Sequence, residues 1–248
     1  SGDLPTHERT PVASPAHLPD DALQIWLTAV GADTPGRVAK HRLVDEVRRL
    51  IGATVLLDVN DLDEESLDDL DELVDAVGEI ADRLTGMPAL PGSQAAAGGD
   101  DARLFERSGI TGHSNPLAVP MRLKIEGDRV TGWAEYSAQY EGPPGCLHGG
   151  FVAAAFDDLL GAAQMLCGQA GFTGTLTIKM RKPTPLFRRI DYAAGVLRVE
   201  GRKIFVTGTS MFEDELLAEA EGIFVAPQLP FGALKTMRAA LGGAPEMA

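Results

Sequence analysis

The run His148-Gly149-Gly150-Phe-Val-Ala-Ala-Ala-Phe-Asp157-Asp158-Leu-Leu-Gly-Ala-Ala-Gln-Met-Leu-Cys167 limits the possible folds more than any other stretch of this chain. It is alanine-rich and proline-free, and it is apolar on most sides. Its composition predicts a helix that other structure must cover nearly all round. Strand-like runs flank it on both sides. Met121–Glu126 and Arg129–Ala138 alternate apolar and polar residues across the turn chemistry of Glu126-Gly127-Asp128. Thr175–Met180, Tyr192–Val199, Ile204–Phe212 and Leu216–Val225 follow. The links Glu200-Gly201-Arg202-Lys203 and Glu213-Asp214-Glu215 are short enough for antiparallel neighbours. The pattern predicts an α+β architecture: a six-stranded antiparallel sheet curled round one central helix.

Charge divides the chain. Residues 1–100 hold 20 acids against 7 bases, whereas residues 101–248 hold 16 against 15, so nearly all of the net charge of −14 sits in the first part. That field disfavours nucleic acid or an anionic membrane surface as the main partner. Residues 58–82 carry twelve Asp or Glu and no Lys or Arg. Leu67, Leu70, Leu73, Val74, Val77, Ile80, Ala81 and Leu84 recur there every three or four residues, predicting an amphipathic helix over 62–85 whose stripe must dock on something. Its expected partner is the second part of the chain or a dimer mate. Shorter helices are predicted over 37–51, ending at Gly52, and over 21–30. The organisation expected is an acidic helical extension over 1–87, a linker over 88–100, a domain over 101–227 and a tail over 228–248.

Two cysteines, Cys146 and Cys167, are too few for a disulfide framework or a closed zinc site. Charged residues or glycine interrupt every apolar run before the ~18 residues of a membrane span, and the first residues have no apolar signal core. A cytoplasmic protein is the expectation.

Gly145-Cys146-Leu147-His148-Gly149-Gly150, followed nine residues after the histidine by Asp157, resembles the signature of hotdog-fold thioesterases of the PaaI-like group. The resemblance continues through Thr173, Leu176–Leu186 and Val199-Glu-Gly-Arg-Lys203, and it spans about residues 101–227. It implies the hotdog fold. It also implies hydrolysis of an acyl-CoA thioester by a homodimer or a dimer of dimers, without a metal or redox cofactor. The first hundred residues carry no such likeness.

The residues suit that chemistry. Thioester hydrolysis needs donors for the oxyanion and a base or nucleophile to deliver oxygen. Gly149 and Gly150 open the helix, where unpaired N–H groups and the positive end of the dipole face outward. The N–H of Gly150 or of its neighbour is the candidate donor. Asp157, a carboxylate in the middle of an apolar helix, suits the second task, and Asp158, about 100° round the helix, is its rival. His148 has three open roles: polarising the carbonyl, orienting water or holding the loop. Thr173 completes the polar set in the resemblance; read alone, it is also an ordinary first residue of a strand. Nine helical residues put Asp157 about 13 Å from His148, too far for both to address one carbonyl within a single chain. The site is therefore expected to be shared between two antiparallel central helices. Arg181, Lys182, Arg202 and Lys203 are candidate partners for the phosphates of CoA, and Asn115 is a candidate for the pocket mouth. A non-catalytic acyl-CoA binding protein whose acidic helices dock a partner is the alternative reading.

Overall fold

A computed structural model describes residues 34–88, 108–119, 121–169 and 171–227. The predicted helix over 21–30, the tail over 228–248 and nearly all of the linker lie outside the described residues.

Helix α1 (Pro35–Val55) begins with Thr34, whose hydroxyl accepts from the Arg37 N–H, and has proline at its first turn. It runs past Gly52, where the sequence predicted its end. Tertiary packing explains the difference: a Cβ at Gly52 would lie 3.3 Å from Gln139 Oε1, so the glycine lets α1 lie close to the short 3-10 turn Ala138–Tyr140. Arg48 anchors α1 further. Its Nη2 donates to the Asn115 carbonyl at 2.8 Å and to the Gly112 carbonyl at 3.2 Å.

Helix α2 (Glu64–Thr85) is capped by Asp63, which accepts from the Ser66 N–H at 2.9 Å; hydrogen bonding by the Ser66 side chain and then by its backbone lowers the Asp63 carboxyl from its ordinary value. Glu64 and Glu65 lie in its first turn and Arg83 in its last, the arrangement its dipole favours. No residue of α2 is buried. Among the described residues, then, the expected docking of α2 on the second part is not made.

The strands are β1 (Arg122–Glu126), β2 (Arg129–Glu135), β3 (Phe172–Met180), β4 (Arg189–Glu200), β5 (Lys203–Phe212) and β6 (Glu215–Val225). They form one antiparallel sheet in the order β1-β2-β4-β5-β6-β3, so β1 and β3 are its edges. The central helix α3 (Gly149–Gln164) continues into a 3-10 turn, Met165–Cys167, and packs on β2, β3, β4, β5 and β6. The predicted hotdog architecture is thus the one observed. By length and composition α3 could cross a membrane, but Ala155, Phe156, Leu159, Leu160, Ala162 and Ala163 are fully covered by the sheet and its loops. Opposite them lie Val130, Ile190, Ala194, Ile204, Val206 and Phe224, every second residue of their strands. Burying each large side chain contributes roughly 1.5–3 kcal/mol against the entropy of ordering it. Gly208 lets the helix settle: a Cβ there would sit 2.9 Å from Leu160 Cδ2. In this layer the buried Tyr136 and Tyr192 hydroxyls pair at 2.6 Å, whereas the buried Ser210 Oγ has no hydrogen-bond partner among the described residues.

Candidate active site

The loop 136–148 delivers the chain into α3. The His148 N–H donates to the Tyr140 carbonyl at 2.9 Å, and the Leu147 N–H donates to the Thr184 carbonyl at 2.8 Å. Gly142 allows the loop to close on itself, since a Cβ there would stand 2.7 Å from His148 Cα. His148 is the N-cap of α3. Its Nδ1 accepts from the Gly150 N–H at 3.0 Å, and its carbonyl accepts from Phe151 and Val152.

These bonds sort the helix N–H groups. Gly150, one of the candidate oxyanion donors, already spends its N–H on the imidazole. Among the described residues the Gly149 N–H has no partner. Of the two glycines the sequence left open, Gly149 is thus the one whose N–H is unengaged among the described residues, at the positive end of the helix. Because Nδ1 is an acceptor, a neutral His148 ring carries its proton on Nε2 and presents a second donor.

Asp157 is half-buried on α3. Its Oδ1 accepts from Thr173 Oγ1 at 2.9 Å, a contact across sixteen residues of sequence. A bulge makes that contact possible. Along β3, Leu176 and Ile178 are half-buried against the core, and strict alternation would turn Gly174 inward next. The register shifts between Thr173 and Thr175, so Thr173 lies opposite the buried Phe224 and faces α3 instead.

Asp158, the rival, has another job. Its Oδ2 accepts from Ser108 Oγ at 2.9 Å and Thr111 Oγ1 at 2.7 Å, tying the 108–119 loop to α3. Burial raises its carboxyl above the ordinary value. The two hydroxyl bonds oppose that shift, and the neighbouring Asp157 adds to it. Sequence reasoning missed Ser108 and Thr111, which carry no periodic signal and meet Asp158 only in the folded chain.

The proposed phosphate partners fare unevenly. Arg181 donates through Nε and Nη2 to Glu219 Oε2 at 2.9 and 2.7 Å, and Lys182 pairs with Glu215. Both are exposed cross-strand ion pairs of β3 and its continuation with β6. Arg202 Nε donates to the Ala226 carbonyl at 2.8 Å, and Lys203, next to it, is exposed at the β4–β5 turn. Asn115 Oδ1 accepts from the Leu117 N–H at 3.0 Å and shapes its own turn. No hydrogen bond among the described residues joins Asn115 to His148, Gly149, Asp157 or Thr173.

The two clusters lie at opposite ends of one track. A Cβ at Gly149 would be 3.4 Å from Met180 Cε, so the last residue of β3 lies beside the start of α3, while Thr173, at the other end of β3, holds Asp157. The strand and helix run antiparallel. Along the outer edge of β3, Phe172, Thr173, Thr175, Thr177, Lys179 and Met180 are exposed.

No family model matches the chain. The crystal structure of protein RHA08564, a thioesterase superfamily protein, is 30% identical, covers 75% of this chain and 94% of its own, and superposes with a TM-score of 0.66. Three quarters of the chain exceeds the half contained in 101–227, so the likeness reaches beyond the sheet domain. Acyl-coenzyme A thioesterase THEM4 of Xenopus laevis is 38% identical over 88 residues, 34% of this chain and 39% of that protein. Acyl-coenzyme A thioesterase THEM5 of Homo sapiens is 29% identical over 91 residues, 36% of this chain and 37% of that protein. The chain therefore matches under two fifths of the length of these curated relatives. With the curled sheet, the buried central helix and a solved relative matched over nearly its whole length, this chain belongs to the hotdog-fold thioesterase superfamily.

Proposed function

We propose that the protein hydrolyses acyl-CoA thioesters to the free acid and CoA, at a site that two copies of the chain complete for each other. The observation that carries this reading is the Asp157–Thr173 pair at one end of the β3–α3 track, with the open Gly149 N–H at the other. Eight residues of helix separate the two by about 12 Å, too far to flank one carbonyl. An antiparallel two-fold pairing of the exposed β3 edges would bring the Thr173 end of one strand beside the Met180 end of its twin. Asp157 of one copy would then face Gly149 of the other.

In that arrangement the thioester carbonyl lies against the Gly149 N–H, with the Nε2–H of His148 as a second donor. Thr173 fixes Oδ1 of Asp157, leaving Oδ2 to draw a proton from water or to attack the carbonyl carbon itself. The tetrahedral oxyanion collapses and the C–S bond breaks. The CoA sulfur leaves as thiolate and is protonated, and oxygen from water ends in the acid. Arg202 and Lys203 at the β4–β5 turn, with Arg181 and Lys182, are the candidate cations for the phosphates of CoA. The experiment is a panel of short, medium, long-chain and aryl acyl-CoAs with free thiol as the readout. Thiol release that saturates with at least one class supports hydrolysis. Saturable binding with no thiol release from any class would make this a binding protein and sink the proposal.

A further inference from the structure

Among the described residues nothing covers the stripe of α2: Leu73 and Val74 are each 62% exposed, Leu67 and Ile80 each 49%, and Val77 42%. We infer that α2 pairs antiparallel with the α2 of a second copy. The inference is independent of the thioesterase reading.

Three features point to this occupant. First, Leu67, Leu70, Val74, Val77, Ala81 and Leu84 follow one another at intervals of 3, 4, 3, 4 and 3, the seam spacing of a helix made to lie along another helix. Second, the seam is complementary to its own reverse. Laid antiparallel about its midpoint it forms the layers Leu67 with Leu84, Leu70 with Ala81 and Val74 with Val77. Each layer occurs twice by symmetry, and the layer holding the small Ala81 is filled by a leucine. Third, the charges allow it. In that register one flank sets Leu73 against Ile80, and the other sets Asp71 against Gly78, so no two acids oppose each other across the seam. Asp68, Asp75, Asp82, Asp69, Glu65, Glu72 and Glu79 all fall on the positions turned away from it. A helix carrying twelve acids in its neighbourhood can thus meet its own copy without like charges in contact.

The test is oxidative cross-linking of the full chain. Positions 67 and 84 are about 25 Å apart along one helix, beyond the reach of a disulfide within a chain. Leu67→Cys and Leu84→Cys, made singly, should cross-link no more than the parent chain with its native Cys146 and Cys167. Combined in one chain, or mixed as two singly substituted chains, they should give a covalent dimer several-fold above that baseline. Adding Val74→Asp and Val77→Asp should remove it. Equal cross-linking of the single variants would indicate parallel pairing or random collision and overturn the inference. So would a double variant at the parent's baseline, whether residues 228–248 or a different protein then proved to cover the stripe.

Discussion

Helices α2 and α3 are opposites in pattern and in fate. α3 shows weak contrast between its faces, because alanine, leucine and phenylalanine surround it, and the sheet covers it. α2 has a sharp apolar stripe and an acidic back, yet none of its residues is buried. The contrast separates two kinds of information. Periodicity says that a face needs cover, but it does not say whether the cover lies in the same chain. For α3 the cover is five strands of its own sheet. For α2 it must come from outside the described chain, and the seam argues for a second copy.

The comparison can be broken or sharpened by substitution. The largest effect is expected on α3, which combines core and chemistry. Asp157→Asn should lower turnover on acyl-CoA by a factor on the order of 10² to 10⁴ with little change in melting, as loss of a base does. Retained turnover in a kinetic assay would remove Asp157 from the mechanism. Next comes packing. Leu160→Ala, fully buried over Gly208, should cost about 2–5 kcal/mol in denaturant unfolding. Val74→Ala on α2 should cost less than about 0.5 kcal/mol in dilute protein, rising with concentration as pairing adds to stability. Equal costs at all concentrations would end the contrast.

The smallest effect separates the adjacent aspartates. Burial raises the Asp158 carboxyl in the folded state, so its contribution is fully present below the ordinary unfolded value near 3.9 and is lost as pH rises through the higher folded value. Asp158→Asn should therefore match the parent in acid and equal or exceed its stability at neutral pH, within about 1.5 kcal/mol, the scale of one hydrogen bond. Melting curves from pH 3 to 8 check this. A large loss at neutral pH would mean that the charged form holds Ser108 and Thr111.

Much of the fold was legible because its signals are local. Alternation located all six strands, though it began β4 at Tyr192 where pairing with β2 extends it to Arg189. Gly52 misled in the other direction: a helix stop by propensity, it is a close contact in the structure. At the site, Asp157 and Thr173 were readable from the ordered motif. The bulge that turns Thr173 inward was not, since a register shift exists only relative to β6. The ion pairs of Arg181 with Glu219 and of Lys182 with Glu215 were hidden for the same reason, because strand pairing alone brings these partners together.

By itself, then, the chain's order of residues determined which segments become helix or strand and which helix needs covering all round. Those are consequences of backbone preference and side-chain periodicity, which act over a few residues. Only the tertiary structure decided that Asp158 is a tether while Asp157 holds Thr173, and that among the described residues Gly149 rather than Gly150 keeps a free N–H and nothing buries α2. Each of those depends on which distant group arrives to accept, donate or cover, and long-range pairing alone brings it there.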